Sequence, residues 1–327
     1  MLPRNRSFHQ VQTQSQKLFI YFNSRDNMLR AVKGFLTFIS VERGIMLFMI
    51  TMGATFLMAK NTTLFGAIYL GAVAFCGWSG VDAINNVYDV DLDTKSDPLR
   101  ADYTKKLGRL GLGISLIFFA LSMSLGAITG IQLVTVFVFV GILAGVMYSA
   151  PPFRLRQTIY KPIVNFSVGA VPVLMVAAFF NVFSVEILVL MTLIGVSTAV
   201  NSLWEDLADY KSDFNAHART LLIVLGFKRG LYLTIIMGYS LIPLMILVGV
   251  LFQLSMLYFV VLTGLIAYIS LRLVQNRHLL FGGANADTES MLKLGEAFAK
   301  DFVIIALVHT TNLMLSGYLT YQQALLI

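Results

Sequence analysis

Two acid-rich segments are the most chemically suggestive part of this sequence. Each contains two aspartates four residues apart, a spacing that places both carboxylates on one face of a helix. In both segments one further oxygen-bearing side chain, three or four residues earlier, extends the row. The two rows are Asn85, Asp89 and Asp93 in the first segment and Asp206, Asp209 and Asp213 in the second.

Carboxylates four residues apart on a helix repel each other. A sequence with two such pairs therefore predicts a bound cation that neutralises them. Carboxylate and amide oxygens are ligands that suit Mg²⁺, which proteins usually hold with one or two carboxylates and the phosphates of a substrate. Two facing rows would therefore form a clamp for a Mg²⁺-bound diphosphate. Solvated loop acids are the alternative interpretation, and two rows following long apolar segments favour the clamp.

The elements that position these rows are membrane helices. Hydrophobic residues make up 57% of the 327 residues and charged residues 13%, about half the share of a soluble domain. A single cysteine, Cys76, excludes a disulfide scaffold and a thiolate metal cluster. Apolar runs of about 20 residues predict an all-α, polytopic protein with nine spans. The predicted spans are 44–60, 64–86, 108–129, 131–149, 162–181, 183–204, 229–250, 253–271 and 301–322.

The positive charges are distributed unevenly about these spans. Of the 24 lysines and arginines, 23 fall on the side of the N-terminus, and Lys60 is the exception. Positive segments stay cytoplasmic, which predicts a cytoplasmic N-terminus, an external C-terminus and both acid rows at the cytoplasmic edge. The net charge of +7 therefore indicates contact with the lipid bilayer and no nucleic-acid partner.

The chain divides into a basic cytoplasmic arm, 1–40, and a nine-helix domain, 41–327. The arm lacks the compact apolar core of a signal peptide. Stretch 27–40 is amphipathic enough to lie as an interfacial helix on the anionic inner leaflet. A disordered tail is the alternative.

In combination these motifs resemble those of the UbiA superfamily of intramembrane prenyltransferases. The first family motif, N-D-x-x-D-x-x-x-D, is matched from Asn85 to Asp93 with Asn86 in place of its first aspartate, and the second, D-x-x-D-x-x-x-D, from Asp206 to Asp213. Tyr-Ser-Ala-Pro-Pro-Phe-Arg-Leu-Arg at 148–156 is similar to a third family segment. Further matches are Pro98, Arg100, Asn165 and the Arg-Thr-Leu beginning at Arg219.

The resemblance implies nine helices around a central cavity that is capped on the cytoplasmic side. It implies Mg²⁺-dependent transfer of an isoprenyl group from a polyprenyl diphosphate to a lipophilic acceptor, aromatic or lipid. Both acid rows would hold Mg²⁺, and Asp89, Asp93, Asp209, Asp213 and Tyr148 would act in catalysis. The other residues carried over are Asn85, Arg100, Arg154, Lys161 and Ser149 for the diphosphate, with Tyr148 and Ser149 near the reacting allylic carbon.

Two other functions remain open from the sequence. A terpene cyclase on the same scaffold would use the prenyl diphosphate alone, and the absence of the family's usual acceptor-side residues at the first helix favours it. A non-enzymatic transporter is disfavoured, because transporters place their ion sites near the middle of the bilayer and these acids lie at one edge. The acceptor and the length of the donor are not specified by the residues.

Overall fold

A computed structural model describes residues 25–59, 63–90, 98–215, 217–281 and 288–325. In these ranges every regular element of secondary structure is a helix. The helices are α1 (Arg25–Phe38), α2 (Val41–Met58), α3 (Leu64–Asp89), α4 (Pro98–Leu107), α5 (Arg109–Ile128), α6 (Gln132–Ser149), α7 (Lys161–Phe180), α8 (Val185–Ala208), α9 (Tyr210–Asn215), α10 (Leu221–Leu225), α11 (Phe227–Leu251), α12 (Met256–Gln275), α13 (Arg277–Phe281) and α14 (Thr288–Leu325), with one 3₁₀ turn at Leu155–Gln157.

Nine of the helices in the described ranges are long and apolar enough to cross a bilayer. They are α2, α3, α5, α6, α7, α8, α11, α12 and α14. Each coincides with a predicted span, which confirms the fold class. The largest difference is in the last helix, predicted over 301–322, which begins at Thr288. Its first turns carry charged residues and so escape a search for apolar runs.

Small residues allow the central helices to approach closely. A Cβ added at Gly53 of α2 would lie 3.2 Å from the Met314 Cα of α14, and one added at Gly317 would lie 3.2 Å from the Gly53 carbonyl oxygen. Such contacts let membrane helices pack by dispersion where the hydrophobic effect is weak. On the outer side, α5 and α6 expose large apolar side chains such as Leu116 and Phe139, which suit contact with lipid.

A cavity of about 270 Å³ lies among these helices. Residues of α2, α3, α6, α7, α8, α11, α12 and α14 line it. Charged and amide side chains line one end, where α3 and α8 terminate. Towards the other end the walls are mostly apolar, with Ile50, Met245 and Ala306 among them.

Helix α1 packs at the polar end of the bundle. Its Phe38 is fully buried and contacts Tyr103 of α4, with ring centroids 6.1 Å apart. The buried side chain of Asn86 on α3 donates from Nδ2 to the carbonyl oxygen of Phe38 at 2.7 Å. The arm residues before Arg25 lie outside the described residues, and contact of α1 with a membrane surface stays a prediction.

Candidate active site

The first acid row ends α3 at the polar end of the cavity. Asp89 is completely buried, with no exposed surface. Its Oδ1 accepts a hydrogen bond from Arg154 Nη2 at 3.2 Å, and its Oδ2 forms a close ion pair with Arg156 Nη1. Asn85, one turn earlier, accepts a hydrogen bond from Ser149 Oγ at 3.1 Å. The buried carboxylate is thus neutralised by two arginines.

The loop between α6 and α7 supplies both arginines. Arg154 adopts a left-handed backbone conformation (φ 44°) and also donates to the carbonyl oxygen of Tyr88 at 3.1 Å. Arg156 lies two residues later, in the 3₁₀ turn, and lines the cavity. Arg154 was predicted to contact the diphosphate, whereas Arg156, which ends the same 148–156 segment, was not predicted.

The second acid row lies at the end of α8, at the same cavity as the first. Asp206 is 1% exposed, and its Oδ1 forms a close ion pair with Lys161 Nζ, which is itself 4% exposed. Asp209 follows the end of α8 and lines the cavity. Burial raises the pKa of Asp209 above its ordinary value, and the positive charge of Lys161 partly offsets this rise. Lys161 thus faces the second row as the arginines face the first.

Asp213 lies on the short helix α9. Its backbone N–H donates to the Asp209 carbonyl oxygen at 2.9 Å, so one helical turn joins the two acids, as their spacing predicts. Burial raises the pKa of the Asp213 carboxyl group too, and Lys161 again opposes the rise. Asp213 is half-buried and is not among the residues that line the cavity. Asp93, the last member of the first row, lies outside the described residues.

A third ion pair lies beside these rows and was not predicted. Arg43 Nη2 of α2 and Glu205 Oε1 of α8 are 2.8 Å apart, and both residues line the cavity. Asn201 Nδ2 donates to the same carboxylate oxygen at 3.0 Å. Arg43 precedes the first predicted span, 44–60, but lies in the first turn of α2.

The remaining predicted site residues lie close by. Arg100 of α4 and Tyr148 of α6 line the cavity, and Ser149 is fully buried at the end of α6. The structure thus brings Asn85, Arg100, Tyr148, Lys161 and Asp209 to one cavity.

The donor set fits a hard divalent cation. In the described ranges no three acidic, histidine or cysteine side chains are close enough together to hold a metal by themselves. One oxygen of the buried Asp206, Oδ2, has no hydrogen-bond partner there. A buried carboxylate oxygen without a partner is costly, and a cation or its water would satisfy it. Sites of this kind are commonly completed by substrate phosphates.

Several solved structures of other proteins have a similar fold. A digeranylgeranylglyceryl phosphate synthase of membranes is 16% identical, with a TM-score of 0.57 over 88% of this chain and 99% of that chain. A UbiA homologue from Archaeoglobus fulgidus, bound to GPP and Mg²⁺, is 19% identical, with a TM-score of 0.58 over 84% of this chain and 99% of that one. A UbiA homologue from Aeropyrum pernix K1 is 16% identical, with a TM-score of 0.58 over 81% and 97%.

At these identities the structures establish a shared fold. No curated protein matches the chain in sequence. The sequence model of the UbiA prenyltransferase family matches residues 46–280. This range contains both acid rows and the loop that supplies the two arginines. This multi-pass membrane protein therefore belongs to the UbiA prenyltransferase family.

Proposed function

We propose that this enzyme transfers an isoprenyl group from a polyprenyl diphosphate to a lipophilic acceptor, aromatic or lipid, in a Mg²⁺-dependent reaction inside the membrane. The observation that carries the proposal is the arrangement of the cavity. Buried carboxylates and cations meet at one end, and an apolar chamber continues from them into the bundle. The polar end suits a metal diphosphate, and the chamber suits a prenyl chain, because each buried CH₂ contributes about 0.8 kcal/mol.

We assign the residues two roles, and Asn85 has both. The proposed metal ligands are Asn85, Asp89, Asp93, Asp206, Asp209 and Asp213. The proposed diphosphate contacts are Asn85, Ser149, Arg100, Arg154 and Lys161, to which the structure adds Arg156. Bound Mg²⁺ would supply positive charge to stabilise the diphosphate as it leaves.

Ionisation of the allylic diphosphate would then proceed in a dry site. Arg154, Arg156 and Lys161 would orient the phosphate oxygens and bear part of their charge. Tyr148, at the cavity wall, would lie near the allylic carbon, where its ring face stabilises positive charge. The surrounding helices exclude water, which would otherwise capture the carbocation.

The proposed orientation places this site at the cytoplasmic face and the C-terminus outside. The bias of lysine and arginine to the side of the N-terminus supports it. Contacts of Asp89 with the α6–α7 loop, and of Glu205 with Arg43, support a common side for these chain segments.

A diphosphate-release assay tests the proposal. Purified protein in lipid nanodiscs would receive geranyl, farnesyl or geranylgeranyl diphosphate with and without Mg²⁺. The acceptors would be a hydroxybenzoate, homogentisate and a glycerol-ether lipid. We expect Mg²⁺-dependent release in the wild type and its loss in Asp89→Ala and Asp209→Ala. Asp102→Ala, an exposed aspartate paired with Lys106, is the matched control and should keep full activity.

Product analysis distinguishes the alternatives. A prenylated acceptor supports the proposed transfer, whereas a terpene hydrocarbon or alcohol formed without acceptor identifies a cyclase. Wild-type protein that releases no diphosphate from any of these donors would contradict both.

A further inference from the structure

Asp82 is a cavity carboxylate that neither proposed group of residues uses. It lies on α3 one turn before Asn85, on the face that also carries Asp89, and it lines the cavity. Only 6% of the residue is exposed, and its Oδ2 has no hydrogen-bond partner among the described residues. A buried carboxylate oxygen without a hydrogen-bond partner therefore belongs to a residue of the cavity wall, one turn deeper in the bundle than Asn85.

The other described carboxylates that line the cavity either form an ion pair or are proposed metal ligands. Glu205 and Asp301 each pair with an arginine, at 2.8 and 2.7 Å. Asp209 belongs to the proposed metal row. Among the described cavity acids, Asp82 is the one with a buried carboxylate oxygen that has no hydrogen-bond partner.

Several groups of neighbouring elements act on Asp82, among them the side chains of Ser40 and Glu205. Arg43 and Arg100 are the cations whose charges act on it, and the guanidinium group of Arg43 is bonded to Glu205. An ionisable residue within a membrane span is costly, and such residues mark functional sites. A deprotonated carboxylate at this position of the cavity wall can accept a proton.

We infer that Asp82 is the general base that ends the reaction, an assignment that rests on the proposed function. The donor's C1–O bond breaks and its electron pair leaves with the diphosphate. An electron pair of the acceptor then forms the new bond to C1, and the acceptor's C–H or O–H proton passes to Asp82 Oδ2. The proton returns to water when the product leaves.

The test compares Asp82→Asn with Asp82→Glu in the nanodisc assay, using geranyl diphosphate, Mg²⁺ and the same three acceptors. Asparagine keeps the shape of the side chain and cannot take the proton, whereas glutamate can. Asp102→Asn is the control for the loss of one aspartate charge. Two quantities are measured for each protein: diphosphate released, and prenylated acceptor or hydrocarbon formed.

We expect Asp82→Asn to ionise the donor at close to the wild-type rate while product formation falls by about 100-fold, the usual scale of general-base catalysis. The released prenyl group should appear as the prenyl alcohol. Asp82→Glu should recover part of the product. An acceptor deuterated at the reacting position should show a larger kinetic isotope effect in Asp82→Asn than in the wild type, because proton removal becomes limiting.

Three outcomes would overturn the assignment. One is Asp82→Asn with an unchanged ratio of product to diphosphate. Another is a parallel loss of donor ionisation, binding of a non-hydrolysable donor analogue and thermal stability, which would make Asp82 structural. The third is wild-type protein that forms only the prenyl alcohol, because no acceptor proton is then removed. Wild-type protein that releases no diphosphate at all would instead refute the proposed function, and the base assignment with it.

Discussion

The amide nitrogen of Asn86 donates to the backbone carbonyl oxygen of Phe38 at 2.7 Å, joining α3 to the end of α1. Asn86 occupies the position of the first aspartate in the family motif, and its side chain is 1% exposed. The residue is therefore used here to hold α1 against the bundle, and an aspartate, which has no N–H, could not make this bond.

Asn86→Asp should accordingly weaken the protein, even though it restores the family motif. The change loses a buried hydrogen bond and places a carboxylate oxygen against a carbonyl oxygen, which costs roughly 1–3 kcal/mol. We expect a lower melting temperature in detergent and no gain in Mg²⁺ affinity. Asn181→Asp, at the C-terminus of α7, is the control. A variant as stable as the wild type that binds Mg²⁺ more tightly would show that Asn86 belongs to the metal site.

Arg156→Ala should destabilise the metal-free protein by roughly 2–4 kcal/mol, because it leaves the buried Asp89 with Arg154 as its remaining cation. Mg²⁺ with inorganic diphosphate should recover part of this loss, since a cation at Asp89 would replace the missing charge. Thermal unfolding with and without both ligands measures the effect.

Lys106→Ala, which breaks the exposed pair with Asp102, is the control and should change stability by less than about 1 kcal/mol. Equal destabilisation of Arg156→Ala in the presence and absence of Mg²⁺ and diphosphate would argue against a metal at Asp89.

The Mg²⁺ requirement should rise as the pH falls. Burial raises the pKa values of Asp209 and Asp213, so these carboxylates take up protons at a higher pH than exposed aspartates do. Mg²⁺ binds the deprotonated groups, and protons therefore compete with it on the acid side. The Mg²⁺ concentration for half-maximal diphosphate release should increase as the pH falls into the range where these carboxylates take up protons. A constant value over this range would exclude Asp209 and Asp213 as ligands that titrate in this way.

Ala306→Phe should shorten the chamber for the prenyl chain. Ala306 lines the cavity on α14, about one turn before the buried His309, whose Nε2 lies 3.4 Å from the Tyr258 hydroxyl. A phenyl ring there would obstruct a long chain and leave a short one in place. We expect the ratio of kcat/KM for geranylgeranyl diphosphate to that for geranyl diphosphate to fall by about tenfold or more, equivalent to about 1.4 kcal/mol. Ala306→Ser is the control. An unchanged ratio would place the chain elsewhere.

Local patterns in the sequence predicted the helices and both acid rows. A span is a run of about 20 apolar residues, and two acids on one helix face need a spacing of four, so each is visible within a short window. The backbone hydrogen bond from Asp213 to Asp209 is a consequence of that spacing.

The partners of those acids could not be predicted in the same way. Asp89 and Arg156 are 67 residues apart in the chain, and Arg43 and Glu205 are much farther apart. Such pairs form because separate helices end at the same level of the bundle. The sequence predicts the end of each helix only to within a few residues, which is too coarse to identify the pairs. The ion pairs therefore depend on a tertiary arrangement that no local spacing encodes.

Helix α12 has a further consequence for how substrates arrive. Its Leu262, Ile266 and Ile269 line the cavity, while Val260, Leu271 and Val274 on other faces are exposed. Of the most apolar 18-residue stretch of this helix, 11% is buried within the protein. On this side α12 alone lies between the chamber and the expected hydrocarbon of the bilayer. For the proposed lipophilic reactants, the concentration that governs the rate is therefore the one in the surrounding lipid, and we expect the enzyme's kinetics to depend on bilayer composition.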